Sequence, residues 1–543
     1  MFGAFCRHAR SRTRPRLERL ETRDVPHTLA LTPLVGVSGP SPFLGNPIEA
    51  NDPPVTINSE VEPYVAVDPN NANHLVGGWI QDFARGMVAA VSFNGGNSWQ
   101  SVVLPGFSLA SGGVYPHASD PWISFAPNGD VYYCAIGFDT PNNSPNAVLV
   151  SKSIDGGLSW TSPIAIASES GSALNDKACI TADPNDGRFA YACWTHFQGG
   201  HAPAQFSRTT DGGQTWEPSR VIFDPGSNNT AETFQILTLP NGNLVNVFTQ
   251  QIRKSSSGGT DHFDFKISLI RSTDHGQTWQ SIPTPVADIL PINDMVQIPG
   301  ARGVANPDGG IGIDAQSWFF NVAMDPNNGN LYVVWQDARF SNFQYNSIAF
   351  AMSSDGGQTW STPIQVNQTP NNVLAGNRQA ILPSVAVNQD GIVAVTYYDF
   401  RNNTPDPGVP TDLWMAHAHP ADGLTNPASW SSENRMTPTS FNIENAPVRN
   451  GYFLGDYQGF VAPSHNFGAF FATTQGTGST SIFYRDPLPA EDEPPAGGTA
   501  TKADTTALRG ASLSNHFEFY FGNRDSDKSD EGLFRWRFDS GLP

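Results

Sequence analysis

The chain is short of cysteine, of basic residues and of long apolar runs, and each shortage closes off a class of protein. Four cysteines (Cys6, Cys134, Cys179, Cys193) in 543 residues are too few for a disulfide scaffold, and no Cys/His spacing fits a metal site. Cys179 and Cys193 flank the turn PNDGR on two expected neighbouring strands. They read either as a disulfide or, more ordinarily, as two buried small hydrophobes. No run of about 18 apolar residues occurs, so no membrane span is expected. Lys and Arg number 30 against 50 Asp and Glu, a formal charge of −20. Residues 1–27 hold seven Arg against three acids, which leaves the remainder near −24. That acidity argues against nucleic acid as a partner and favours a soluble protein, secreted or at the cell surface. An anionic substrate would need a local Arg cluster to work against the global field.

What the chain has in quantity is Gly (51), Pro (44), Phe (34) and Trp (13), with charged residues at 15%. This mix suits many short strands joined by tight turns rather than helices. One octapeptide is written five times: Ser92–Trp99 (SFNGGNSW), Ser153–Trp160 (SIDGGLSW), Thr209–Trp216 (TTDGGQTW), Ser272–Trp279 (STDHGQTW) and Ser353–Trp360 (SSDGGQTW). The Asp (Asn94 in the first copy) can accept hydrogen bonds from its own turn. The shared glycine permits a backbone angle that other residues resist. The Trp is a large apolar plug for a gap between repeats.

A second repeat is interleaved with the first: an apolar strand, a tight turn and another apolar strand, fullest in FNVAMDPNNGNLYVVW (Phe320–Trp335). Relatives begin near Glu62, Asp120, Asp176, Glu232, Leu382 and Asp456, making seven copies. Four antiparallel strands in units of roughly 60 residues describe an all-β β-propeller, with seven blades favoured and six the alternative. The ring is expected to close by pairing a strand near Pro54–Ser59 with the last blade. The divisions are 1–27, a basic export leader or tail; 28–55, Pro-rich and extended; 56–486, the propeller; 487–510, a polar linker; and 511–543, a C-terminal tail. The run RPRLERLETRDVP resembles a leader carried by many large exported proteins of one bacterial group.

The octapeptide resembles the Asp-box of sialidases and other bacterial-neuraminidase-repeat proteins, a resemblance that covers roughly residues 60–485. If strands alternate direction, the boxes lie on one face of the ring. Strand entrances and second loops lie on the other, where a site would form. The entrances supply Glu62, Asp120, Asp176 with Lys177, Glu232, Arg378 and Asp456–Tyr457. The second loops supply Asp82 with Arg85, Asp337 with Arg339, and Asp399 with Arg401. Converging arginines suit a carboxylate ligand, because guanidinium binds it bidentately. The plainer alternative makes each D-x-(x)-R a local salt bridge.

The resemblance implies a secreted, retaining exo-sialidase or close relative that removes a terminal sialic or another acidic sugar, whose nucleophile is a Tyr rather than a carboxylate, since the substrate's own carboxylate would repel an anion. On that reading DYQGF nominates Tyr457, ETFQILTLPNGNLVNVF nominates Glu232 as its base, and Asp82, or instead Asp120, is the acid/base. Arg85, Arg339 and Arg401 form the clamp, with Arg378 and Arg253 in reserve; Asp337, Asp399, Asp120 and Glu62 line the same mouth. The chain departs from the family where V-E-P-Y puts Glu62 in the place of an expected Arg. Two other readings stand beside the sialidase: a non-catalytic propeller that binds glycan or protein, and another glycosidase or lyase working through Glu62, Asp120 and Asp176. A glycan or glycoconjugate partner and a monomer are expected, with no metal or cofactor needed and structural calcium left open.

Overall fold

The computed structural model describes residues 30–43, 56–139, 145–257, 260–291 and 303–487. The export leader, Cys6, the linker after Pro487 and the tail 511–543 lie outside these. Seven antiparallel sheets are arranged as the blades of one ring. Their innermost strands are Val61–Asp68, His117–Phe125, Leu174–Ala182, Thr230–Thr238, Phe320–Met324, Ala380–Val387 and Gly459–Val461. The blades pack in cyclic order, the last inner strand returning to the first. This is a seven-bladed β-propeller, and among the described residues no helix is long and apolar enough to cross a membrane.

Each sheet presents apolar side chains to both neighbours, so the core lies between blades rather than in one central mass. The five octapeptides close the third strand of blades one to five and stitch each blade to the one before it. In the second copy, Ser153 Oγ donates to Asp155 Oδ1 (2.8 Å), while Gly157 N donates to Ser153 Oγ (2.8 Å) and Ser159 N to Asp155 Oδ1 (2.9 Å). Gly157 has φ +95°, and a Cβ there would lie 2.9 Å from Val76 of blade one. Only glycine fits both demands. Trp99 packs on Phe470 and Tyr484 of blade seven, and Trp279 on Phe206 of blade three, with centroids 5.3–5.4 Å apart. His74, just after blade one's first turn, reaches the carbonyl of Gly156 in the second octapeptide (2.8 Å), so first turns and octapeptides share a face.

Ring closure differs from the expectation. The fourth strand of blade seven is Val35–Gly36, paired antiparallel with Ser479–Arg485. The stretch near Ser59 makes a single parallel bridge to Thr480. The exposed edge of the last strand is thus shared, its start covered by Asn58–Glu60 and its remainder by residues 31–38. Residues 30–43 therefore belong to the propeller: among the described residues the C-terminal part supplies three strands to blade seven, and the edge of the last of them takes Val35–Gly36 as its partner. Cys179 and Cys193 are register partners across two strands, both buried and both free thiols.

Candidate functional site

A repeated irregularity aims charge at the tunnel. In blades one, two, three, four and six the inner strand carries a bulge, at Glu62, Asp120, Lys177, Thr233 and Leu382, each with φ between 51° and 60°. Pro63, Pro121 and Pro383 follow three of them. Proline cannot donate to the ladder, and a bulge is where a strand tolerates that. In blades one to three the bulge residue is charged and its side chain joins one cluster, whereas Thr233 bonds Thr249 Oγ1 and Leu382 packs in the core. Left-handed backbone at a non-glycine costs roughly 1–2 kcal/mol each, and it recurs where the chain places Glu62, Asp120 and Lys177.

These three meet Asp456, from the entrance of blade seven. Lys177 Nζ lies 2.5 Å from Asp456 Oδ2, 3.1 Å from Asp120 Oδ1 and 4.0 Å from Asp176 Oδ1. Arg449 bridges Asp314 Oδ2 (2.9 Å) and Asp456 Oδ1 (3.1 Å) while stacking on Phe453, and Gln316 Nε2 donates to Asp456 Oδ1 (3.2 Å). Glu62, Asp120 and Asp456 bring carboxylate oxygens within 4.8 Å of one another. Such a trio could hold a metal ion; here the ammonium of Lys177 meets the charge of two of them.

Burial, and next the charge of Asp120, push the Glu62 carboxyl well above the usual range. Burial alone would raise Asp456 too, but Arg449 and Lys177 hold it well below. Asp176 is pushed up to about 7 by burial, with Lys177 opposing and Asp120 and Asp456 adding to the rise. One small site therefore contains acids driven in opposite directions, the condition under which proton donors and acceptors separate.

Tyr457 sits beside this cluster. Its hydroxyl donates to the Pro121 carbonyl (3.0 Å), and its ring stands edge-on to Trp122 (5.5 Å) and Tyr64 (6.1 Å), which stack on each other. Burial and the facing charges of Glu62, Asp120 and Asp456 keep its phenol protonated well above the ordinary range. Glu232 accepts from Gln251 Nε2 (2.5 Å) on the neighbouring strand, and the bulge position equivalent to Glu62 and Asp120 is Thr233.

The remaining candidates are placed in their own loops. Asp82 accepts from Asn58 N (2.8 Å), Gln81 Nε2 (3.0 Å) and Ser41 Oγ, which fastens the N-terminal strap. Arg85 is buried, and its carbonyl accepts from Ser108 Oγ (2.7 Å). Arg339 pairs with Asp337, whose carboxylate also takes the Trp335 indole N–H (2.7 Å). Arg401 is held by Asp399 and Glu433 and stacks on Trp414. Arg378 donates to the carbonyls of Val373 and Asn371. Arg253 N donates to Asn229 Oδ1 (2.9 Å). For Arg339 and Arg401 the local salt bridge is what the structure contains. Arg449, Asp314 and Gln316 were not legible beforehand: they arrive on long connections before blades five and seven, where no repeat marks a position.

No known family model matches the chain. A xyloglucanase of Acetivibrio thermocellus is 24% identical over 303 residues, covering 48% of this chain and 34% of its own. A sialidase of Bacteroides fragilis is 28% identical over 149 residues, 26% of each chain. The chain thus spans about a quarter to a third of the length of these curated relatives. Among solved structures, an alpha-L-arabinofuranosidase of Fusarium graminearum aligns over 68% of this chain and 92% of its own, with TM-score 0.43 and 14% identity. The chain is thus similar, at low identity and over part of their length, to a xyloglucanase and a sialidase.

Proposed function

We propose that the protein hydrolyses glycosidic bonds at the tunnel mouth formed by Tyr457, Trp122, Asp176 and the Lys177–Asp456–Arg449 network. The observation that carries this reading is the meeting, in one cluster at the strand entrances, of acids with opposed proton affinities beside the rings of Tyr457, Trp122 and Tyr64. Aromatic faces suit sugar rings, and acids poised in different states suit proton transfer to and from a glycosidic oxygen. The names of the two curated relatives point to the same chemistry.

Two substrate classes follow from the same mouth. A sialic acid would draw on Tyr457 as nucleophile, its proton passing to one of the carboxylates that face it. Charge weighs against that class: Asp120, Asp314 and Asp456 outnumber Lys177 and Arg449, Asp176 adds to them when ionised, and Arg339, Arg401 and Arg378 are engaged elsewhere. A neutral sugar suits the site better. Full-length protein should release fluorophore from neutral glycosides (arabinofuranosides, xyloglucan fragments) and little from a sialoside. Tyr457→Phe and Asp456→Asn should each lose about 10²–10⁴-fold in kcat/KM. Release from the sialoside alone would reverse the substrate class, and no release from any glycoside would overturn the proposal. A non-catalytic, glycan-binding ring is the second reading, favoured by the near-complete burial of Glu62, Asp120 and Asp456. It requires saturable binding of an oligosaccharide that stays intact.

A further inference from the structure

Catalysis at this mouth needs a proton that can leave and return, and burial rules out most of the acids present. The side chains of Asp456 and Asp314 are 0% exposed and that of Asp120 is 4% exposed, each tied to Lys177 or Arg449. Glu62 is 1% exposed as a residue. Asp176 differs: its side chain is 26% exposed. Its Oδ1 accepts from the Lys177 backbone N–H (2.9 Å), and its Oδ2 makes no hydrogen bond among the described residues. It stands one residue before the bulge at Lys177, at the rim of the cluster rather than within it. The charged groups that face it are Lys177 from its own strand, Asp120 from blade two and Asp456 from blade seven.

We infer that Asp176 is the catalytic acid and base of the site, and that Lys177, Asp120 and Asp456 are positioning residues that set its charge environment. The inference rests on the glycosidase reading above and names a residue for it. In the forward step the Asp176 carboxyl proton goes to the glycosidic oxygen as the C1–O bond breaks, its electron pair stays on that oxygen, and the positive charge left at C1 is shared by the lone pair of the ring oxygen. When water later adds through its oxygen at C1, its proton returns to the Asp176 carboxylate, so that one water is consumed and the acid is regenerated. The proton-bearing form does the work: partial burial, opposed by Lys177 and reinforced by Asp120 and Asp456, pushes this carboxyl up to about 7 while leaving one edge of it open. Turnover of substrates that need leaving-group protonation should therefore fall as pH rises through neutrality.

The experiment compares wild type, Asp176→Asn and Asp176→Glu on two glycosides of one neutral sugar. One carries an alkyl or sugar leaving group, the other 2,4-dinitrophenol. Protonation helps the first and is scarcely needed by the second. Asp176→Asn should lose about 10²–10⁴-fold in kcat/KM, which reports bond cleavage, on the first, and less than tenfold in kcat/KM on the second. The fall near pH 7 should vanish in Asp176→Asn and persist, displaced, in Asp176→Glu. Equal losses on both substrates would assign Asp176 a structural role and overturn the inference, as would full activity of Asp176→Asn. In either case, continued sensitivity to Tyr457→Phe or Asp456→Asn would leave the glycosidase reading standing. Failure of wild type on every glycoside would remove both.

Discussion

Lys177 is the residue on which the central network depends. Its ammonium is 10% exposed and faces three carboxylates from three blades, and Asp120, Asp456, Asp176 and Glu62 raise its proton affinity far beyond what burial removes. A buried ion pair adds little when compared with a well-packed apolar pair, but removing one partner strands the other's charge. Lys177→Met should therefore cost about 3–5 kcal/mol at pH 7, read from the urea midpoint. The sign with pH follows from Asp456. A carboxyl held below its ordinary range gives stability that is present above the unfolded pKa and is lost as pH falls through the folded value. In Lys177→Met that depression is reduced, with Arg449 still opposing burial, so the gap between variant and wild type should hold from pH 7 down to about pH 4 and narrow below it. A gap that stays constant there too would mean that Lys177 serves packing on Phe319 rather than charge.

At the scale of the element, the octapeptide turns are clasped by a cation from the preceding blade. The carbonyl of the fourth octapeptide residue accepts from Lys152 Nζ at Gly212 (2.8 Å), from Arg208 Nη1 at His275 (2.6 Å) and from Arg271 Nη2 at Gly356 (3.2 Å). Lys152, Arg208 and Arg271 each directly precede the octapeptide of their own blade. Blade one has Val91 there, and His74 takes over by reaching Gly156. Blade five has Met352, and the sixth blade offers no octapeptide to clasp. Asp130 orients Lys152 at 2.5 Å. Losing this half-buried, charge-assisted bond in Lys152→Met should cost about 1.5–3 kcal/mol. The more exposed Lys266, 3.8 Å from Asp288, should cost under about 1 kcal/mol on the same change. Equal costs would make the clasp incidental. Strand pairs and octapeptides were legible because each repeats, and repetition separates signal from chance. The clasp was equally visible as a basic residue before three octapeptides, but its partner lies a whole blade further on. The bulges were foreshadowed only by Pro63, Pro121 and Pro383. Glu232 therefore looked equivalent to Glu62, although it stands one residue before the aligned position.

The described residues form a ring, and its seam lies where the first and last strands of the propeller meet. Residues 30–43 fill the last open edge, Phe43 is buried against Gly86, and Ser41 and Asn58 converge on Asp82. Gln81 links this junction to Glu60, donating to Glu60 Oε1 (2.7 Å) and Asp82 Oδ1 (3.0 Å). Two acids thus share one amide at the seam. Burial, opposed by that Gln81 hydrogen bond and reinforced by Asp82, pushes Glu60 up to about 8. A carboxyl that binds its proton more tightly when folded gives stability that is complete below its unfolded pKa. That stability is lost as pH climbs through the folded value. The window runs from about 4.5 to about 8, with a slope of at most about 1.4 kcal/mol per pH unit. Glu60→Gln keeps an acceptor for Gln81 and removes the titration. Its stability relative to wild type should therefore rise steadily between pH 5 and pH 8, as measured by paired thermal melts. The gain should appear as slower opening of the seam, seen as hydrogen exchange at Val37 and Ile482, whose backbones are bonded across it. Parallel pH profiles for the two proteins would place the Glu60 charge outside the closure and leave the strap held by Phe43 and the Val35–Gly36 pairing alone.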